Sequence, residues 1–234
     1  MSRELKEDVE YLRATREDFL RTLADPWRVQ ALADLVAPPF RVQHVLDVAC
    51  GIGQALFPLA VSRGACGFGV DISKTALRMG RDLYAAHLPQ AKVAFAGAAA
   101  ESLPFVDATF DVVHCGLALP YMDNARAIGE VARVLRPGGL FLLKIHHARY
   151  YLQLLWRGLI RLDISSLIYG GRVLTAGAVY HLSGRQPRSR LFSESFQTRW
   201  LLRRELTRRG LFIDREHVNT NPLAPVFIIF KKQQ

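Results

Sequence analysis

Two acids, two glycines and a pair of adjacent histidines are the residues of this chain best suited to chemistry. Asp47-Val48-Ala49-Cys50-Gly51-Ile52-Gly53-Gln54 closes an apolar run that starts at Val45. Gly51 and Gly53 remove side chains where the main chain must turn tightly and approach a ligand. Asp71 ends a second apolar run, Gly67-Phe68-Gly69-Val70. An acid at the end of a second parallel strand is placed to accept two ribose hydroxyls. The combination suits a nucleoside-like molecule held by backbone at one end and by a carboxylate at the other. His146 and His147 follow a later apolar run. An imidazole there could take a proton from a hydroxyl or an amine. Neighbouring strand residues point oppositely, so at most one of the pair is expected to face a pocket. Gly-x-Gly alone also occurs in ordinary strand-to-helix turns, and Leu56 stands where a third dinucleotide-binding glycine would be.

These residues need a frame, and the pattern supplies one. Residues 3–23 have amphipathic helical spacing, and Asp25-Pro26 reads as the cap and first turn of a second helix through Val36, ended by Pro38-Pro39. Tyr11 and Trp27 are expected in the core, with pocket lining as the alternative. Strands are expected at about 43–49, 66–71, 91–95, 110–116, 140–145, 211–218 and 225–231, the last two joined through Thr220-Asn221-Pro222. A helix from about Gly53 to Arg63, bent at Pro58, would aim its N-terminus at the ligand. Further helices are expected from Lys74 to His87 behind Ser73, from Asn124 to Leu135, and from Ser193 to Gly210.

Composition narrows the classes. The 234 residues include enough apolar side chains, 50%, for one large α/β domain with a cap. No apolar run is long enough to span a bilayer, and the charged N-terminus is unlike a secretory signal. Cys50, Cys66 and Cys115 show no metal-ligand spacing and read as reduced thiols of a cytoplasmic protein, with no metal expected. The net charge of +10 is concentrated at Arg185, Arg188, Arg190, Arg199, Arg203, Arg204, Arg208 and Arg209, opposed by Glu194 and Glu205. That stretch makes nucleic acid a second-ranked partner.

Leu103-Pro104-Phe105, Phe110-Asp111-Val112-Val113 and Arg133-Val134-Leu135-Arg136-Pro137-Gly138-Gly139 follow the glycine turn in order. With them the chain resembles the class I S-adenosylmethionine-dependent methyltransferases, closely over residues 43–147 and loosely at the C-terminal end. The resemblance implies an α/β fold: a doubly wound, seven-stranded, mostly parallel sheet with an antiparallel last strand. Residues 1–40 would form an N-terminal helical cap, 43–147 the cofactor-binding core, 148–191 a lid or substrate insert, and 192–234 the last helix and closing strands, all in one domain.

It also implies S-adenosyl-L-methionine as cofactor. Asp47, Ala49, Cys50, Gly51 and Gly53 would wrap its methionine part, and Gln54 would reach the carboxylate. Asp71 would hold the ribose, Ile72 would pack on the adenine face, and Cys115 and Gly116 would flank the methionine. Ala99 and Ala100 would meet the adenine edge. Ala99 stands where the family usually has an aspartate, which removes one acceptor and about 0.5–1.5 kcal/mol of binding. Glu101 is expected as a solvated surface residue.

The acceptor side is less legible. His146, His147, Tyr121 and Tyr150 are the catalytic candidates. Only Pro120-Tyr121 matches the end of the motif used on exocyclic base amines. The insert is rich in Tyr, Trp, Leu and Ile and reads as a lid over a small apolar or aromatic acceptor. A membrane-surface element or a homodimer contact is the competing assignment. Methyl transfer to an O or N atom is therefore expected. RNA or protein methylation, a cofactor-binding scaffold and non-methylating use of the sulfonium are the alternatives.

Overall fold

The structure, a computed structural model, describes residues 3–34, 41–187, 189, 194–217 and 223–233. Seven strands form one sheet: β1 (His44–Val48), β2 (Cys66–Asp71), β3 (Val93–Gly97), β4 (Phe110–Gly116), β5 (Leu135–Lys144), β6 (Leu211–His217) and β7 (Val226–Lys231). Their order is β3-β2-β1-β4-β5-β7-β6. The pairs from β3 through β5 are parallel, while β7 runs antiparallel to both β5 and β6. Strand order reverses between β1 and β4, so the carboxyl ends of these two strands bound the crevice where such sheets take ligands.

Apolar side chains on successive residues bury both faces, as a central parallel strand requires. Leu46, Val113, Phe141 and Leu143 pack with Ile128, Val131, Leu202 and Leu206, from helices α5 (Asn124–Val134) and α8 (Arg199–Thr207). Val45, Val112, Leu140 and Leu142 face the other way, onto Leu59 and Ala60. There Phe19 of α1 (Arg3–Ala24) joins Leu56, Leu83 and Tyr84, the last two from α4 (Lys74–His87). Helix α2 is Pro26–Asp34. The chain between β5 and α8 holds a helical hairpin, α6 (Ala148–Arg161) and α7 (Ile164–Ser183).

Several expectations need correction. The helix after the glycine turn shrinks to α3 (Leu56–Leu59), followed by a separate 3-10 turn at Val61–Arg63 that ends on left-handed Gly64. Pro58 sits in the first turn of α3, where its missing N–H is harmless but its ring opposes helical backbone four residues earlier, so the helix does not reach back to Gly53. The third strand lies two residues later than expected, and β5 starts at Leu135, which pairs with Phe110. The last helix is capped by Thr198, whose hydroxyl accepts from Leu201 N–H; Ser193 lies outside the described residues, as do Pro38-Pro39, Thr220-Asn221-Pro222, Arg188 and Arg190. Tyr11 and Trp27 are exposed rather than in the core, Trp27 at 83%. Trp27 is on the outer side of the short helix α2, while Tyr11, though exposed, holds its hydroxyl over the turn at Gly51.

Candidate functional site

Glycine and left-handed geometry shape the turn after β1. Ala49, Gly51 and Gly53 all have positive φ, at 55°, 54° and 83°. Ala49 pays steric strain for that conformation, a kind of strain that clusters at binding sites. A Cβ on Gly51 would meet only the Tyr11 hydroxyl, at 3.9 Å, so this face of the turn is open. A Cβ on Gly53 would instead strike the Phe95 ring, at 2.7 Å. The bare backbone at Gly53 therefore makes room for Phe95 underneath, not for a ligand above. Tyr84 fixes the same residue by donating its hydroxyl to the Gly53 carbonyl, at 2.8 Å.

Asp71, at the end of β2, accepts from Gly51 N–H at 2.8 Å through one oxygen and from Ser73 N–H at 2.8 Å through the other. Each carboxylate oxygen keeps a second lone pair for another donor. Ile72 beside it is 79% exposed, an apolar ledge next to an acid. Ala100 is buried and Ala99 exposed. Glu101 is not solvated as expected: it accepts Asp123 N–H at 2.8 Å, tying its loop to the start of α5.

Asp47 and Gln54 are engaged within the protein. Asp47 is buried, and one of its oxygens lies 2.7 Å from Nδ1 of His114 on β4, joining the two strands that flank the crevice. Gln54 donates to the Thr15 carbonyl at 3.2 Å, which holds α1 over the turn. Cys50 and Cys115 are buried, and burial raises both thiols, Cys115 to about 12. Both are inert at neutral pH. Gly116 ends β4 opposite Lys144 of β5, whose ammonium is pushed below its ordinary range by burial.

Beyond β4 and β5 the tyrosines and histidines separate into two groups. His147 caps α6: its Nδ1 accepts from Arg149 N–H at 3.1 Å, and its ring lines a cavity of about 270 Å³ with Gln197, Glu216 and Phe227. His146 turns elsewhere. Its ring stacks on Tyr150 at 4.1 Å and meets Tyr151 edge-on. Nδ1 of His146 is buried and has no hydrogen-bond partner among the described residues. Burial lowers the basicity of this imidazole, with Glu194 pulling it up and Lys144 pushing it down. Glu194 thus belongs to this neighbourhood, not to the arginine stretch. It is 4% exposed and takes a hydroxyl from Tyr151 on one oxygen and from Tyr169 on the other. Burial and then the Glu194 charge raise Tyr121 to about 12. Sequence inspection missed Glu194, Tyr151 and Tyr169; the only signal was an acid isolated within a basic, aromatic-rich stretch.

The open turn at Gly51, the acid at Asp71 and the apolar ledge at Ile72 fit a nucleoside such as S-adenosylmethionine. Comparison with known proteins agrees with that fit. A family profile described as "Methyltransferase domain" matches residues 46–143. "O-methyltransferase resE" of Aspergillus sclerotiorum is 38% identical over 97 residues, which cover 41% of this chain and 37% of that protein. "Uncharacterized methyltransferase sll0829" of Synechocystis is 43% identical over 104 residues, or 43% of this chain and 46% of that protein. The chain thus spans less than half the length of these curated relatives. Among solved structures, a SAM-dependent methyltransferase from Methanosarcina mazei superposes with a TM-score of 0.60 at 25% identity, covering 83% of this chain and 95% of that one. A geranyl diphosphate methyltransferase with GPP and sinefungin gives 0.61 at 14% identity, covering 87% and 78%, a likeness of fold alone. Residues 46–143 are thus a methyltransferase domain, and the sheet built around them is that of the class I S-adenosylmethionine-dependent methyltransferase family.

Proposed function

We propose that the protein transfers a methyl group from S-adenosylmethionine to an O or N atom of a small acceptor with an apolar or aromatic body. The observation that carries this is the juxtaposition of the open Gly51 turn, the Asp71 carboxylate and the exposed Ile72 at the switch point of a methyltransferase domain. When bound, S-adenosylmethionine supplies a methyl group on a positively charged sulfur. Asp71 orients the ribose hydroxyls, Ile72 covers the adenine face, and Ala99 and Ala100 meet the adenine edge. The turn from Asp47 to Gly53, with Cys50 and Gln54, borders the methionine end alongside Cys115 and Gly116. Asp47 acts there through His114, and Gln54 through α1.

On the acceptor side, His146 is the base. Its Nδ1 has no partner among the described residues, and burial lowers the ring's basicity below the ordinary histidine range. Tyr121 and Tyr150 border the acceptor, and His147 fixes the start of α6. Alignment and exclusion of water by the hairpin supply most of the acceleration, since the methyl donor is already activated.

Calorimetry with S-adenosylmethionine and its demethylated product tests the cofactor half. Mass analysis of acceptors after incubation tests methyl gain. Binding without any methylated product would move the protein to the scaffold or non-methylating class. RNA or protein methylation stands second, resting on exposed Arg199, Arg203 and Arg208 around Trp200. Phosphate-driven binding would weaken steeply with salt. A cytoplasmic location fits the buried thiols, and among the described residues no helix is long and apolar enough to cross a membrane. Homodimerisation through α6–α7 would cover Trp156, Leu159, Ile160 and Ile168, all exposed, and sedimentation would detect it.

A further inference from the structure

We infer that Glu194 and the tyrosines around it form a cage for a protonated amine on the acceptor. The inference rests on the methyltransferase assignment and narrows its acceptor class.

Glu194 is a buried carboxylate with no ion pair to a lysine or arginine among the described residues, in a chain that carries ten excess positive charges. Its two oxygens accept hydrogen bonds from the Tyr151 and Tyr169 hydroxyls. Those phenols must stay protonated to donate, and burial together with the Glu194 charge pushes both far above the ordinary tyrosine range. Hydroxyls that give their protons to a carboxylate turn electron-rich lone pairs outward. Tyr121 and Tyr150 add aromatic rings next to this group, and Tyr121 is 52% exposed, so the cluster opens at its rim. An uncompensated anion behind phenolic oxygens and ring faces is the environment that favours a cation. A neutral hydroxyl would leave the charge unmatched, and a carboxylate would be repelled.

The position is also right. Tyr121 lies five residues beyond Gly116, and His146 two residues beyond Lys144, the partner of Gly116 across the sheet. The cage thus borders the carboxyl ends of β4 and β5. Its geometry is fixed in advance. Ser195 N–H donates to the Pro120 carbonyl, and Gln186 donates to Ser195 Oγ at 3.0 Å, so the segment bearing Glu194 is pinned to the loop bearing Tyr121. Phe196 packs against Gly177, where any side chain would collide with its ring. The groups facing the cage are Glu194, Tyr121, Tyr150, Tyr151, Tyr169 and His146, with Lys144 behind His146. Nδ1 of His146, buried and without a partner among the described residues, can accept a hydrogen bond from one N–H of the bound ammonium, which keeps its proton and its charge.

The test uses the full-length protein loaded with S-adenosylhomocysteine and a matched pair of probes, phenethylamine and 2-phenylethanol. Failure to bind S-adenosylhomocysteine would sink the methyltransferase assignment and is measured first. With the nucleoside bound, the ammonium probe should bind at least about tenfold tighter than the alcohol at neutral pH. Glu194→Gln should abolish that preference while leaving S-adenosylhomocysteine affinity unchanged. Tyr121→Leu, at the exposed rim and safe for folding, should weaken the amine alone several-fold. Equal affinity for the two probes, no amine binding up to roughly 10 mM, or a preference that survives both substitutions would overturn the cage. So would a Glu194→Gln variant that loses only thermal stability.

Discussion

Gly53→Ala separates two explanations of a glycine in a cofactor turn. If the bare backbone serves the ligand, the substitution should spare stability and harm binding. The structure says the reverse. At φ of 83° an added Cβ sits in a region that disfavours all residues but glycine, at a cost of about 1–2 kcal/mol. It would also lie 2.7 Å from Cε1 and 2.8 Å from Cζ of Phe95. That ring is held edge-on against Tyr84 at 5.6 Å and blocks Gly69 as well, so it has little freedom to yield. Overpacking of this kind costs about 1–3 kcal/mol. Together the two effects give about 2–5 kcal/mol, or a fall in Tm of roughly 5–15 °C for a chain this size. Phe95→Leu in the same chain should recover the packing part and leave the backbone part. Thermal unfolding of the four proteins of the cycle, with and without S-adenosylmethionine, measures both. An unshifted Tm in Gly53→Ala with lost cofactor binding would refute the argument, as would a double variant no more stable than the single.

Asp71→Ala should cut S-adenosylmethionine affinity at least about tenfold, or 1.4 kcal/mol, by calorimetry; unchanged affinity would remove Asp71 from the site. His147→Ala should cost about 0.5–2 kcal/mol of stability, because the α6 N–H it caps is freed, while turnover per folded molecule persists. His146 is held below the ordinary histidine range by burial, so the unfolded chain takes the proton more readily. Its contribution to stability is present above the ordinary histidine value and falls as pH drops below it, and the acidic limb of the pH–rate profile should lie below pH 6.5. His146→Gln should remove that limb. Arg133 holds the Glu130 carboxyl below its usual range, so the stability gained from the pair is complete above that range and lost as pH falls through it. Urea midpoints of wild type and Glu130→Gln should converge in acid.

The core of the fold could be read from the chain because its signals are local. Apolar runs at Val45–Val48 and Phe110–Cys115, broken only by Asp47, Asp111 and His114, suit strands covered on both faces, and Ser73 caps α4 with its own hydroxyl. The same locality explains the errors. Pro58 keeps the helix after the turn from reaching back to Gly53 and left-handed Gly64 ends the 3-10 turn that follows it, but apolar spacing alone carries on through both. Gly53 was legible as a close approach, whereas its partner Phe95 lies 42 residues on, and nothing near Gly53 names it. Glu194 is the sharpest case. Its partners are 43 and 25 residues earlier, in helices whose relative placement depends on the hairpin, so its neighbours in sequence suggested arginines.

The arrangement has a consequence for how such proteins diversify. Apart from Tyr121, every group argued to contact the acceptor lies between residues 146 and 194, after the matched segment 46–143 has ended. That stretch leaves the sheet at the end of β5 and rejoins it through α8, like a cassette plugged between two fixed sockets. Grafting residues 146–198 onto a related sheet would carry acceptor choice to a new host without disturbing its nucleoside half.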